Sequence, residues 1–193
     1  AIIYEFTFWG AIAVCFLAGL FLTRVFIIQH DCGHQSFFPD RTKNDRTGFI
    51  MSLMTCIPYK YWARSHNHHH AHQGQLDTRT IGDVTLLTVR EYNELSSWGK
   101  VKYRIYRSFP VMFLLGPVYY IFVHNRFPFI KFNGWDKERK ALTKTNIYLL
   151  LFFAVLGLLL GLPHLNFGYG FVKLAALYIP ILVTFAFTAI WFF

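Results

Sequence analysis

Three apolar runs constrain this chain more than anything else in it. A helix that crosses a bilayer needs about 20 mostly apolar residues. Residues 6–28 supply such a run, with Arg24 near one end and placed to snorkel toward the headgroups. A second run, 147–162, is mostly Leu and Phe, and a third, 171–193, is interrupted by Pro180. That proline does not exclude a span, because neighbouring helices re-satisfy the carbonyl it frees. Composition agrees: 54% of the 193 residues are hydrophobic, 22 are Phe and 15% are charged. A soluble domain carries about a quarter charged residues. This chain has too little polar surface to cover itself in water, so lipid is the expected solvent.

Two further apolar stretches, 48–59 and 109–123, are short or broken, the first near its end by Pro58 and the second by Gly116-Pro117. They are expected to lie in the membrane interface or against the bundle rather than to span. The fold class that follows is all-α and integral to the membrane. It is a transmembrane helix bundle carrying a helical region between its first and second spans. Residues 30–72 of that region hold seven of the chain's nine histidines, so it is expected to be metal-binding.

Charge orients the path. Residues 29–107 contain 11 Lys and Arg, residues 127–146 contain five more, and the turn 163–170 contains none. By the positive-inside tendency the region 29–146 is expected on the cytoplasmic side and the short turn outside. The net charge of +9 does not point to nucleic acid, since no basic stripe is interleaved with polar contact residues. The patch Lys100, Lys102, Arg104 and Arg107 suits anionic lipid better than an acidic electron carrier. Cys15, Cys32 and Cys56 have no framework spacing and read as reduced thiols. The chain opens on Ala1-Ile2-Ile3-Tyr4 and ends inside the run Ala189-Ile190-Trp191-Phe192-Phe193. We therefore read residues 1–193 as one partial domain of a longer protein.

Nine histidines are present, seven of them between positions 30 and 72. His30 and His34 follow the first span four residues apart, which puts both on one helical face. Alone this spacing is weak. The stretch from Trp62 to His72 holds five more: His66, His68, His69, His70 and His72. At about 100° per residue His66, His69 and His70 share an arc of about 100°, while His68 and His72 fall on the opposite side. Five imidazoles on two motifs exceed the three or four protein ligands of one zinc site. Ligand type alone leaves iron, copper, zinc and nickel open.

The stretch His30-Asp31-Cys32-Gly33-His34-Gln35-Ser36-Phe37-Phe38 resembles the first histidine box of the membrane fatty acid desaturases, above all the acyl-lipid omega-6 (delta-12) type. Trp62 through His66-x-x-His69-His70-Ala71 is similar to the second box. Gly74-Gln75-Leu76-Asp77, Gly82-Asp83-Val84, Thr88-Val89-Arg90-Glu91-Tyr92, Gly116-Pro117 and Arg126-Phe127-Pro128 continue the likeness over most of the chain. The family's third box, again H-x-x-H-H, does not occur here, and its place is expected beyond Phe193. The resemblance implies two iron ions held by His30, His34, His66, His69 and His70, with no catalytic residue beyond the metal ligands. It implies O₂ as oxidant, a cis double bond in a lipid-linked acyl chain as product, and an external donor of the ferredoxin or cytochrome b5 type. It also implies that this stretch alone is inactive.

Outside the boxes, Asp31 and Asp77 are candidates to orient ligand imidazoles. His68 and His72 are expected at the surface or behind the ligands, His124 as an interface anchor, and His164 in the outer turn. Two rivals are weighed. A related membrane di-iron hydroxylase or ketolase shares the boxes but not the stretch from Gly74 onward. A metal transporter with a histidine-rich loop needs ligands inside the spans, which offer only Arg24, Lys173 and Cys15. A plain membrane anchor leaves the paired boxes unexplained.

Overall fold

The computed structural model describes residues 8–79, 81, 84–130 and 134–192, and among these the chain is helical with no strand. The long helices are α1 (Phe8–Gly33), α7 (Asp136–Gly161) and α8 (Phe167–Phe192). Between α1 and α7 lie α2 (Arg41–Thr55), α3 (Tyr59–Ala71), α4 (Val89–Glu94), α5 (Ser97–Tyr106) and α6 (Gly116–Phe122), with a π-helical stretch, Pro110–Leu115, leading into α6.

Three helices are long and apolar enough to cross a membrane: Trp9–Gly33, Asp136–His164 and Phe167–Ala189. They match the three apolar runs, and α8 continues through Pro180 as a single helix. The second helix begins well before its apolar run. Its first turn carries Asp136 and Glu138, where carboxylates favour the positive end of the helix dipole. The 109–123 stretch is less simple than a flat interfacial helix. Ser97–Tyr106 and Pro110–Arg126 together pass the same length and apolarity test, bent by 50°, so the pair has the dimensions of a broken span or re-entrant loop.

In lipid, apolar surface does not drive helices together, and small residues that let backbones approach take over that role. Gly157, Gly161 and Gly170 do this between α7 and α8. A Cβ on Gly170 would stand 2.1 Å from the Gly157 carbonyl oxygen and 2.5 Å from the Gly161 nitrogen. Both are backbone atoms, so relief requires the helices to part. Gly170→Ala is expected to cost about 1–3 kcal/mol, the usual range for overpacking, read as a lower midpoint of thermal unfolding in detergent.

On its other side α8 packs against α1, and α6 also packs on α8. Leu22, Phe26, Cys56, Ile57, Trp62, Ile121, Leu149, Leu182 and Phe185 form one buried cluster across these elements. That cluster is the floor on which the histidines stand.

The short helices are fixed by local chemistry. The Asp40 carboxylate caps α2 by accepting from Lys43 N at 2.7 Å, a strong N-cap arrangement. Cys56 then takes a left-handed conformation (φ 58) and turns the chain into α3. In α4, Thr88 and Glu91 form a reciprocal capping box, and the Glu91 carboxylate also pairs with Arg79 at 2.5 Å. All three cysteines are buried and free.

Candidate metal centre

The last turn of α1 carries His30, and His34 follows directly in the turn that ends it, its N–H donating to the His30 carbonyl at 3.1 Å; the second half of α3 carries His66 and His70. Each pair is four residues apart, so each presents two rings on one face. The two helices meet with those faces together. One ligand nitrogen from each of His30, His34, His66 and His70 can be chosen so that all lie within 4.8 Å of one another. Within each pair the Nε2 atoms converge, at 3.3 Å for His34 and His30 and at 3.1 Å for His70 and His66. Each pair is close enough for both of its rings to reach one metal ion.

Several interactions hold the faces together. Trp62, one turn before His66 on α3, stacks under the His66 ring at 4.6 Å and 19°. It also meets His30 at 5.9 Å and Phe26 edge-on at 5.2 Å. Gly33 lets α1 come this near: a Cβ there would lie 3.0 Å from the Trp62 ring. Asn67 Nδ2 donates to the Gly33 carbonyl at 3.0 Å, tying α3 to the end of α1 beside His34. From below, the buried Tyr59 hydroxyl donates to the Cys32 carbonyl at 2.7 Å. Gln29, fully buried next to His30, donates to the Ile57 carbonyl at 2.9 Å and accepts from the Thr55 hydroxyl at 2.6 Å. A buried amide satisfied at both ends fixes register between α1 and the α2–α3 turn.

The protonation state suits metal binding. Burial, reinforced by the neighbouring histidines, pushes His66 down to about 3. Burial and the charges of His30 and His70 likewise lower His34. Both rings are therefore neutral at physiological pH, with a lone pair to offer. His30 Nδ1 faces Asp31 Oδ1 at 3.1 Å, which places the proton on Nδ1 and leaves Nε2 as the donor atom toward the cluster. Asp31→Asn is expected to weaken metal binding by about 10–100-fold, the usual cost of losing such a partner. Metal content after dialysis against graded chelator checks this.

Of the five histidines expected as ligands, His30, His34, His66 and His70 converge. His69 stands at the flank, its ring 5.6 Å from that of His70 and outside the converging four. His68 and His72 lie on the opposite face of α3, stacked on each other at 4.1 Å, with His68 6.4 Å from Trp135. Asp77 is exposed in the turn Leu76–Thr78, with no histidine bonded to it among the described residues. His124 stacks on Tyr120 at 5.2 Å and on Phe129 at 5.6 Å, and His164 meets Tyr169 in the turn between α7 and α8. Sequence reasoning missed Gln29 and Tyr59 as supports, since neither lies in a ligand spacing.

The sequence pattern of the family described as "Fatty acid desaturase" matches residues 7–193, so the chain belongs to the fatty acid desaturase family. With three long apolar helices it is an all-α integral membrane member of that family. The chain is 42% identical over 150 residues to a "Fatty acid desaturase" of Bacillus subtilis, covering 78% of this chain and 42% of that protein. It is 34% identical over 102 residues to an "sn-1 oleoyl-lipid 12-desaturase" of Anabaena variabilis, covering 52% of this chain and 28% of that protein. An "sn-1 acyl-lipid omega-3 desaturase (ferredoxin)" of Synechocystis is 33% identical over 87 residues, covering 44% and 23%. The chain thus spans less than half the length of these relatives. No solved structure matches it.

Proposed function

We propose that this chain is part of an acyl-lipid desaturase that places a cis double bond in a lipid-linked acyl chain. The observation that carries the reading is the convergence of His30, His34, His66 and His70, drawn from two histidine motifs, at the end of a membrane span. Four imidazoles in one place fit a first-row transition metal, and iron is the metal we assign. His69, beside the four, is proposed as a ligand to a second iron, and further ligands are proposed from sequence beyond this chain. Bound iron would supply the redox chemistry in which O₂, two electrons from an external donor and two protons, together with two hydrogens taken from adjacent methylenes, yield the double bond and two waters.

The remaining work falls to the protein. His30 is held by Asp31 so that Nε2 points into the cluster. Trp62 and Phe26 close the cluster's membrane side with aromatic surface, which shields His66 from water and keeps that ring neutral. The spans hold this face at the bilayer edge, where an acyl chain of a membrane lipid comes within reach. By the positive-inside tendency that face is cytoplasmic, accessible to a soluble or membrane-bound electron donor of the ferredoxin or cytochrome b5 type.

Expression of the full-length protein in a host that lacks polyunsaturated lipids tests the reading. Gas chromatography of total fatty acid esters is expected to show a new cis-unsaturated product whose double-bond position identifies the enzyme's regiochemistry. Hydroxylated or keto products in its place would move the protein to the related oxygenases.

A further inference from the structure

A second feature lies away from the histidines. Between α6, α7 and α8, with Cys56 and Arg126 from the neighbouring turns, lies a groove of about 590 Å³. It runs along α8 from Leu182 to Phe171, roughly 16 Å at 1.5 Å per residue, and along α7 from Asn146 to Phe153. Its walls are apolar except at one end, where Arg126 and Asn146 stand. Asn146 marks the point on α7 where the polar half, 136–146, gives way to the apolar half. The polar end therefore lies at headgroup depth and the apolar end within the hydrocarbon.

Arg126 makes the polar end unusual. Its Nη1 donates to Asn146 Oδ1 at 2.8 Å and its Nη2 donates to the Cys56 carbonyl, both neutral acceptors. Its Nε is buried with no hydrogen-bond partner. Among the described residues no carboxylate pairs with it. A half-buried guanidinium without a counter-charge at the membrane edge is costly, and an anion at the mouth of the groove removes that cost through charge-assisted hydrogen bonds.

We propose that this groove binds one membrane phospholipid, its phosphate at the Arg126 guanidinium and one acyl chain laid along Phe153, Ala175 and Phe171. The shape, the depth of the polar end and the uncompensated cation each fit that occupant. None of the four clustered histidines lines the groove, so this chain is held rather than reacted. The site is a lipid anchor beside the metal centre, and it stands whether or not the metal is iron.

Native mass spectrometry of the full-length protein, released from mild detergent with added phosphatidylglycerol or diacylglycerol, tests this. The wild type is expected to keep one phosphatidylglycerol per chain after collisions that strip other lipids, and to keep diacylglycerol about tenfold less, a difference of about 1.4 kcal/mol. Ala175→Trp fills the groove from an exposed position, leaves Arg126 in place, and is expected to lose the retained lipid. Arg126→Gln is expected to erase the preference for phosphatidylglycerol over diacylglycerol. Should Arg126→Gln fail to fold, Ala175→Trp decides alone. Unchanged retention in Ala175→Trp, equal retention of both lipids by the wild type, or no retained lipid because polypeptide fills the groove would each overturn the proposal. The iron content of the same samples reports separately on the histidine centre.

Discussion

Replacing His66 or His70 by Ala in the full-length protein is expected to abolish acyl-chain unsaturation, with no new product in the chromatogram, and to lower bound iron. The two rings face each other through Nε2 atoms 3.1 Å apart, and both stand among the four converging donors. Loss of a partner that only orients a ligand already costs about 10–100-fold, so loss of a ligand itself should exceed that. His66 is half-buried and His70 exposed, so His70→Ala leaves no cavity and should fold. Wild-type membrane levels with no product would separate loss of the site from loss of the protein. His68→Ala and His72→Ala, on the far face of α3, serve as controls and are expected to retain the product. Full unsaturation in His70→Ala would remove that residue from the site.

Trp62→Ala is expected to have the largest effect on stability, about 3–5 kcal/mol, the range for deleting a buried Trp or Phe side chain. Only 5% of Trp62 is exposed. It lies in the central apolar cluster with Phe26, Ile121 and Leu182 and supports His66 from beneath at 4.6 Å. Truncation opens a cavity between the cluster and the histidines, lets water reach the rings, and frees His66 to rotate. The midpoint of thermal unfolding in detergent should fall. Trp62→Phe, which keeps an aromatic face under the ring, is expected to recover most of the iron content. If both variants bind iron as the wild type does, Trp62 acts only on packing and not on the position of His66.

Much of this was legible in the sequence because membranes impose a simple rule. The length of an apolar run fixes a span, and the runs at 6–28, 147–162 and 171–193 correspond to α1, α7 and α8, although residues 6, 7 and 193 lie outside the described residues. Helix ends were less legible. Nothing in the polarity of 136–146 announces that α7 begins at Asp136, since a charged first turn looks the same in a loop. The bend between α5 and α6 was also missed, because Pro110 and Gly116-Pro117 signal a break without saying how two short helices combine.

For the site, the helical wheel separated His66 and His70 from His68 and His72, which the structure places on opposite faces of α3. It could not distinguish His69 from His70, which lie on the same arc. Which of them meets α1 depends on how the two helices cross. That crossing is set by Gly33 against Trp62 and by Tyr59 and Gln29 beneath, contacts between residues 26 to 29 positions apart that no local pattern encodes. The Arg126 groove was out of reach for the same reason, since its parts come from α6, α7, α8 and the turns that hold Cys56 and Arg126.

The central claim is that the converging histidines hold iron, and metal analysis of the full-length protein, purified without a histidine tag, tests it most directly. Close to two irons per chain, lost together in His70→Ala, is the expected result. A protein that carries zinc and no iron, or whose iron is unchanged in His70→Ala, would contradict the account.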